Sequence, residues 1–156
     1  DSDGQHFPED IPLLINAYRQ HPGALIIGAR NLSEDNMPRG NTFANRFSNF
    51  LFFFQTLIKL DDTQSGYRLY PVSRIKRSWI FTSRYEAELE LLVLAAWHDI
   101  EIRQVGVRVY YPSPEERVTH FRPGYDFFRI SILNTMLCMG ALFYYLPKLI
   151  YKWLRC

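Results

Sequence analysis

The chain has almost no cysteine. Cys138 and Cys156 are the whole complement, and both lie in the apolar carboxy-terminal region. No disulfide framework holds such a fold, and neither residue has a zinc-site spacing. Histidine is nearly as sparse: His6, His21, His98 and His120 show no ligand spacing. A dominant charge sign is missing too. The formal net charge is +2, which leaves no electrostatic footprint for nucleic acid. There is no internal repeat and no low-complexity tract. The first apolar stretch follows an acidic loop, unlike the basic start of a secretory leader. What is abundant is apolar: 47% of the 156 residues are hydrophobic, which excludes general disorder and suffices for one domain with a core.

The opening "DSDGQH" puts the carboxylates of Asp1 and Asp3 within reach of one cation. Gly4 permits a sharp turn and Gln5 offers a neutral oxygen. Hard oxygen donors of this kind suit Mg²⁺ or Mn²⁺. A calcium loop of the EF-hand type fails on spacing, because His6 and Pro12 stand where the loop needs its glycine and its last acid. A metal-dependent phosphate hydrolase would carry further carboxylate or histidine ligands. A site loop normally hangs from the end of a strand, so an opening at Asp1 is expected of a fragment or trimmed domain.

The segment "FPEDIPLLINAYRQ" reads as a helix, with Asp10 or a neighbour as cap and Pro12 in the first turn. "ALIIGA" has the length and composition of a buried parallel strand, and Arg30 stands at its end, where open α/β sheets place ligand groups. After a polar loop comes a long helix from about Thr42 to Lys59. Phe47, Phe50, Leu51, Phe54, Leu57 and Ile58 form its apolar face, which Phe52 and Phe53 widen. That helix is either buried or faces lipid. "DDTQSGYRLYP" is a turn-rich loop and "VSRIKRSW" a short basic helix. "EAELELLVLAAWH" is a strong helix whose Glu86, Glu88 and Glu90 are expected on its surface or behind a site. "EIRQVGVRVYY" alternates as a strand, with Val105, Val107 and Val109 on one face.

From Ile130 to Leu146 no residue is charged. Arg129 precedes this stretch; Lys148, Lys152 and Arg155 follow it; and Tyr144, Tyr145, Tyr151 and Trp153 have the character of interfacial aromatics. Membrane contact is expected, as a single span or as two interfacial helices broken at Pro147. The alternative is a core helix.

In order, these pieces are a D-x-D-G-Q loop, a strand ending "GAR", a helix beginning "NRFSN", then "DTQSGYRLYP", a Glu-rich helix and "QVGVRVYYP". The series resembles the second half of family 2 glycosyltransferases, near the dolichyl- and polyprenyl-phosphate sugar synthases, over nearly the whole chain. The resemblance implies an α/β, GT-A-like, mainly parallel sheet with flanking helices, here without the amino-terminal nucleotide-binding half. Residues 1–128 would be the partial GT-A domain and 129–156 an apolar, membrane-associated tail. It implies inverting transfer of a sugar from a nucleotide-diphosphate donor to a lipid or polyprenyl-phosphate acceptor, at the cytoplasmic face of the cell membrane. Asp1, Asp3 and Gln5 would hold Mg²⁺ or Mn²⁺ and the donor diphosphate. Arg30 and Arg46 would receive the acceptor, with Asn49, Gln64 and Arg68 nearby, and Asp62 would be the active-site carboxylate. This chain departs from the pattern at Asp99, where relatives commonly have glycine, and at "QVG", where they often have Glu-Val-Pro. The rival reading is a non-catalytic, membrane-associated assembly or binding domain derived from such an enzyme. It would not need the acidic and basic residues to converge.

Overall fold

The computed structural model describes residues 5–30, 39–76, 79–83, 85–110 and 124–155. Asp1, Asp3, His120 and Cys156 lie outside these residues. A 3₁₀ turn at Pro8–Asp10 leads into α1 (Ile11–Gln20), with Pro12 in the first turn, where a missing N–H costs no helix bond. Asp10 does not cap the helix with its side chain; its carboxylate turns to Arg108 instead. Gly23, at φ +84°, reverses the chain into β1 (Leu25–Ala29). There follow α2 (Arg39–Thr56), β2 (Arg68–Leu69), α3 (Tyr85–Trp97), β3 (Ile102–Gly106), α4 (Tyr125–Gly140) and α5 (Leu146–Leu154). The expected basic helix near residue 72 is only a 3₁₀ turn, Val72–Arg74.

The sheet has the order β2-β1-β3. β3 runs parallel to β1, from Leu25 opposite Ile102 to Ala29 opposite Gly106. β2 is antiparallel to β1, pairing Leu69 with Ile26 and Arg68 with Ile27. The sheet is therefore mixed rather than mainly parallel. The cause is local: β2 leaves a loop at the carboxy-terminal end of β1, so it can only run back along its neighbour.

Alternation along β1 divides the core. Leu25 and Ile27 point into a large cluster with Phe52, Leu92, Val93, Trp97, Leu133 and Leu137, under α2, α3 and α4. Ile26 points the other way, joining Leu14, Ala24 and Val107 beneath α1. Val105 and Val107 do share that face, but the strand stops at Gly106, and Val109 forms a separate antiparallel bridge with His6.

α2 is turned against its expected apolar face. Phe47, Phe50, Phe54 and Leu57 are exposed, whereas Asn45, Phe52, Gln55 and Thr56 are buried. The buried polar groups have partners that explain the choice. Asn45 donates to Asp62, Gln55 Nε2 donates to Asn134 Oδ1 at 3.0 Å, and the Gln55 carbonyl accepts from Trp97 Nε1 at 2.8 Å. Glu86 and Glu90 are likewise buried rather than superficial. Glu86 pairs with Arg129, and Glu90 accepts from both N–H and hydroxyl of Thr82, at 2.9 and 2.6 Å.

The apolar tail is one helix, Tyr125–Leu154, long and apolar enough to cross a membrane, with a mean hydropathy of 1.4. It does not break at Pro147. A π-helical turn at Ala141–Tyr145 widens the helix ahead of the proline and makes room for its ring. Leu133, Leu137, Ala141 and Tyr145 are buried at four-residue spacing, while Phe127, Phe128, Met136, Phe143 and Trp153 are exposed. Gly140 lets Trp97 approach, since a Cβ there would lie 2.6 Å from the indole ring. Beyond the proline, Lys148 donates to the Trp97 carbonyl at 2.7 Å, and Lys148 and Lys152 both reach Asp99. The helix thus lies along the domain with one stripe docked.

Candidate active site

An open cleft of about 860 Å³ lies where β1 and β3 end. Its lining includes Arg30, Arg46, Asn49, Lys59, Asp61, Gln104 and Arg108. The carboxyl ends of parallel neighbours are where α/β sheets bind ligands, because loops diverge there and leave a crevice.

Asp62 sits behind the cleft wall and is fully buried. Its carboxylate accepts five hydrogen bonds: from Arg30 Nε at 2.6 Å, Arg30 Nη2 at 2.9 Å, Asn45 Nδ2 at 2.8 Å, and the backbone N–H groups of Arg30 and Gln64, both at 3.1 Å. Burial pushes the Asp62 pKa up, but the Arg30 hydrogen bonds and charge outweigh it, with help from Asn45, and the carboxyl titrates below its ordinary 3.8. The pair fixes a bidentate guanidinium at the end of β1.

The helix motif "NRFSN" explains how the loop is held. Asn45, Ser48 and Asn49 recur at helical spacing and all bond the Asp61–Thr63 turn. Ser48 Oγ lies 2.9 Å from Thr63 Oγ1. Asn49 donates to the Asp61 carbonyl at 2.6 Å and accepts from both Thr63 N–H and Thr63 Oγ1. Arg46, between them, is exposed and lines the cleft.

Arg30, Arg46 and Asn49 are thus brought together at the cleft, with Asp62 behind them. Gln64 and Arg68 are not in its lining. Gln64 supplies its N–H to Asp62, and Arg68 clamps the loop from outside through the carbonyls of Ser65, Thr63 and Glu88. Five polar lining residues were not named as site residues from the sequence: Asp10, Lys59, Asp61, Gln104 and Arg108. Arg108 donates from Nη2 and Nε to Asp10 Oδ1, at 2.6 and 3.0 Å, and from its backbone N–H to Oδ2 at 2.8 Å, and this partner draws the Asp10 pKa below its usual value. Gln104 accepts from the Asp61 N–H at 2.9 Å. No sequence signal marked Arg108, because the alternation placed it inside a strand that in fact ends at Gly106.

The amino-terminal segment is anchored beside this cleft. Tyr110 N–H donates to the Gln5 carbonyl at 2.8 Å, His6 stacks on Tyr67, and the Tyr67 hydroxyl donates to the Phe7 carbonyl. Among the described residues no group of three or more His, Cys, Asp or Glu side chains gathers to hold a metal ion.

No protein-family model matches the chain, and no solved structure matches it. It is 28% identical over 118 residues to an uncharacterized protein of Methanocaldococcus jannaschii, covering 71% of this chain and 48% of that one. It is 29% identical over 141 residues to the UDP-N-acetylglucosamine–dolichyl-phosphate N-acetylglucosaminyltransferase of Methanococcus voltae, covering 86% of this chain and 56% of that enzyme. The second relative is a glycosyltransferase. The chain spans about half the length of the curated relatives it matches.

Proposed function

We propose that this chain carries the acceptor side of an inverting glycosyltransferase of the GT-A type, moving a sugar from a nucleotide-diphosphate donor to a polyprenyl-phosphate or related lipid acceptor. The observation that carries the reading is the cleft itself. A buried, bidentate Asp62–Arg30 pair stands at the end of β1, with Arg46 beside it. The similarity to a dolichyl-phosphate sugar transferase agrees with it.

The state of Asp62 favours one acceptor over the other. A general base must be able to take a proton. Asp62 is saturated with donors and titrates low, so it is a poor base for a hydroxyl. A phosphate acceptor is already ionised near neutral pH and needs no base. In that case Asp62 is a positioning residue: it keeps Arg30 extended, charged and planar toward the incoming phosphate. Arg46 neutralises part of the same charge from α2. Mg²⁺ or Mn²⁺ held by Asp1, Asp3 and Gln5 would offset the charge that develops on the leaving nucleotide diphosphate.

The exposed apolar sides of α2 and of the tail helix fit a membrane-seated enzyme whose acceptor arrives from lipid. The basic residues flanking the tail support a seat at the cytoplasmic face of the cell membrane. The test is transfer of labelled sugar from a panel of nucleotide sugars, in membranes holding the protein, to polyprenyl phosphate and to polyprenol. Transfer to the phosphate alone, lost in Arg46→Ala, is expected. Transfer to the alcohol alone, or from no nucleotide sugar at all, rejects the reading.

A further inference from the structure

α2 ends in an unusual way. Leu57 takes φ +59°, a left-handed conformation that is costly for a residue with a side chain. The turn is nonetheless held. Leu57 N–H donates to the Phe53 carbonyl at 2.7 Å, and Thr56 Oγ1 bridges the Phe52 carbonyl and the Ile58 N–H at 2.7 and 3.2 Å. Its effect is to swing the chain off the helix axis. Leu60 is then buried at the edge of the main core, and Lys59 and Asp61 on either side line the cleft.

The charges of the lining can be sorted by what they already do. Arg30 is held by Asp62, and Arg108 by Asp10. Arg46 and Lys59 have no hydrogen-bond or ion-pair partner among the described residues. Asp61 is the one lining carboxylate without a cation beside it among those residues. Among the described residues, Arg30, Arg46, Lys59 and Arg108 stand against Asp10, Asp61 and, behind the wall, Asp62, which leaves the cleft with one more cation than anions. A strained turn that delivers an unpaired ammonium to such a cleft is structure put to use.

We propose that Lys59 contacts the anionic group of the acceptor, as a third cation beside Arg30 and Arg46, and that the Leu57 turn exists to place it there. This rests on the proposed acceptor site and adds to it a residue that the resemblance does not name. A lysine suits the role, since a mobile point charge can follow a phosphate on a lipid that enters from the side.

The experiment is competitive amine labelling of the protein with acetic anhydride, read at its four lysines, Lys59, Lys76, Lys148 and Lys152. It is run with vesicles carrying polyprenyl phosphate, with vesicles carrying polyprenol, and with inorganic phosphate. Polyprenyl phosphate should slow modification of Lys59 severalfold relative to polyprenol, with Lys76 unchanged. Protection by inorganic phosphate as well would assign the contact to the phosphate rather than to the lipid chain. Lys59→Gln should weaken retention of polyprenyl phosphate about tenfold, as loss of one charge-assisted contact does, and Lys59→Arg should restore most of it. Unprotected Lys59, with retention still weakened by Arg46→Ala, overturns the proposal and leaves the acceptor site standing. No retention of polyprenyl phosphate by the unmodified protein overturns both.

Discussion

The two sides of α2 are built on opposite rules. The inward side carries Asn45, Ser48, Asn49, Gln55 and Thr56 around one large apolar residue, Phe52. The outward side carries Phe43, Phe47, Phe50, Phe54 and Leu57, all exposed. An ordinary amphipathic helix does the reverse. The inversion shows that the inward side is selected for holding a loop and a cleft. Its hydrogen bonds to Asp62, Thr63 and Asn134 are specific, made through Asn45 Nδ2, Asn49 Oδ1 and Gln55 Nε2. The outward side has no such requirement within the fold. Exposed phenylalanines are what the proposed membrane seat requires of that side.

The largest expected effect lies on the inward side. Asp62→Asn keeps the shape but leaves the Arg30 guanidinium, which is mostly buried, without its counter-charge. Breaking such a pair costs about 3–5 kcal/mol, and the isosteric amide places this variant near the lower value. Turnover should fall about 10–100-fold, as expected when a charge-assisted bond that positions Arg30 is lost, with donor affinity largely kept. The pH dependence has a definite sign. The folded pKa of Asp62 is depressed, so its stabilising contribution is complete above the ordinary carboxylate value of 3.8 and is lost as pH falls through the folded value. Urea midpoints of the parent should drop on acidification below about pH 4. In Asp62→Asn that drop should be shallower, and the remainder belongs to Asp10 and Asp99, which are shifted the same way. An unchanged acid slope would show that the pair adds nothing to the fold.

A second comparison sets one phenylalanine of α2 against its neighbours. Phe52→Ala removes a fully buried ring and should cost about 3–5 kcal/mol. Phe47→Ser and Phe50→Ser should change stability by no more than about 0.5 kcal/mol. The double serine variant should instead lose binding to vesicles and gain solubility. If Phe47→Ser destabilised as much as Phe52→Ala, the outward side would be part of the core and the membrane argument would fall.

How the sequence could be read follows from the same contrast. β1, β3, α1, α3 and the tail were legible as elements because each is an apolar or periodic run bounded by turn or charged residues. Arg30, Arg46 and Asp62 were named through the resemblance, since each alone reads as a surface charge or a turn residue; the structure puts Arg30 and Arg46 on one cleft with Asp62 behind it. The facing of α2 was not legible, because six phenylalanines in one helix swamp a hydrophobic pattern whatever they face. β2 was hidden by its length of two residues inside a turn-rich loop. Lys59 was hidden because nothing in "LIKLDD" announces a left-handed turn at Leu57.

The smallest expected effect concerns Asp99, and it decides how the tail is held. Asp99 sits at φ +58° just past α3, where its N–H and that of Ile100 close the helix end onto Ala96 and Ala95. Glycine is the residue that this conformation favours, and relatives of the resembled family commonly have it there. The aspartate gives up that ease and in return meets Lys148 and Lys152 across the gap to α5. Asp99→Gly therefore removes two exposed ion pairs, worth about 0.2–1 kcal/mol each, while relieving about 1 kcal/mol of backbone cost. Global stability should stay within about 1 kcal/mol of the parent. Asp99→Ala loses the ion pairs without the relief and should be the less stable of the two. The local effect should exceed the global one. Amide exchange through Leu146–Leu154 should quicken in both variants, and 1 M salt should quicken it in the parent by screening the same pairs. Equal protection in parent and variants would mean that the Lys148 bond to the Trp97 carbonyl and the buried stripe hold the tail alone, and that Asp99 merely tolerates a glycine's place.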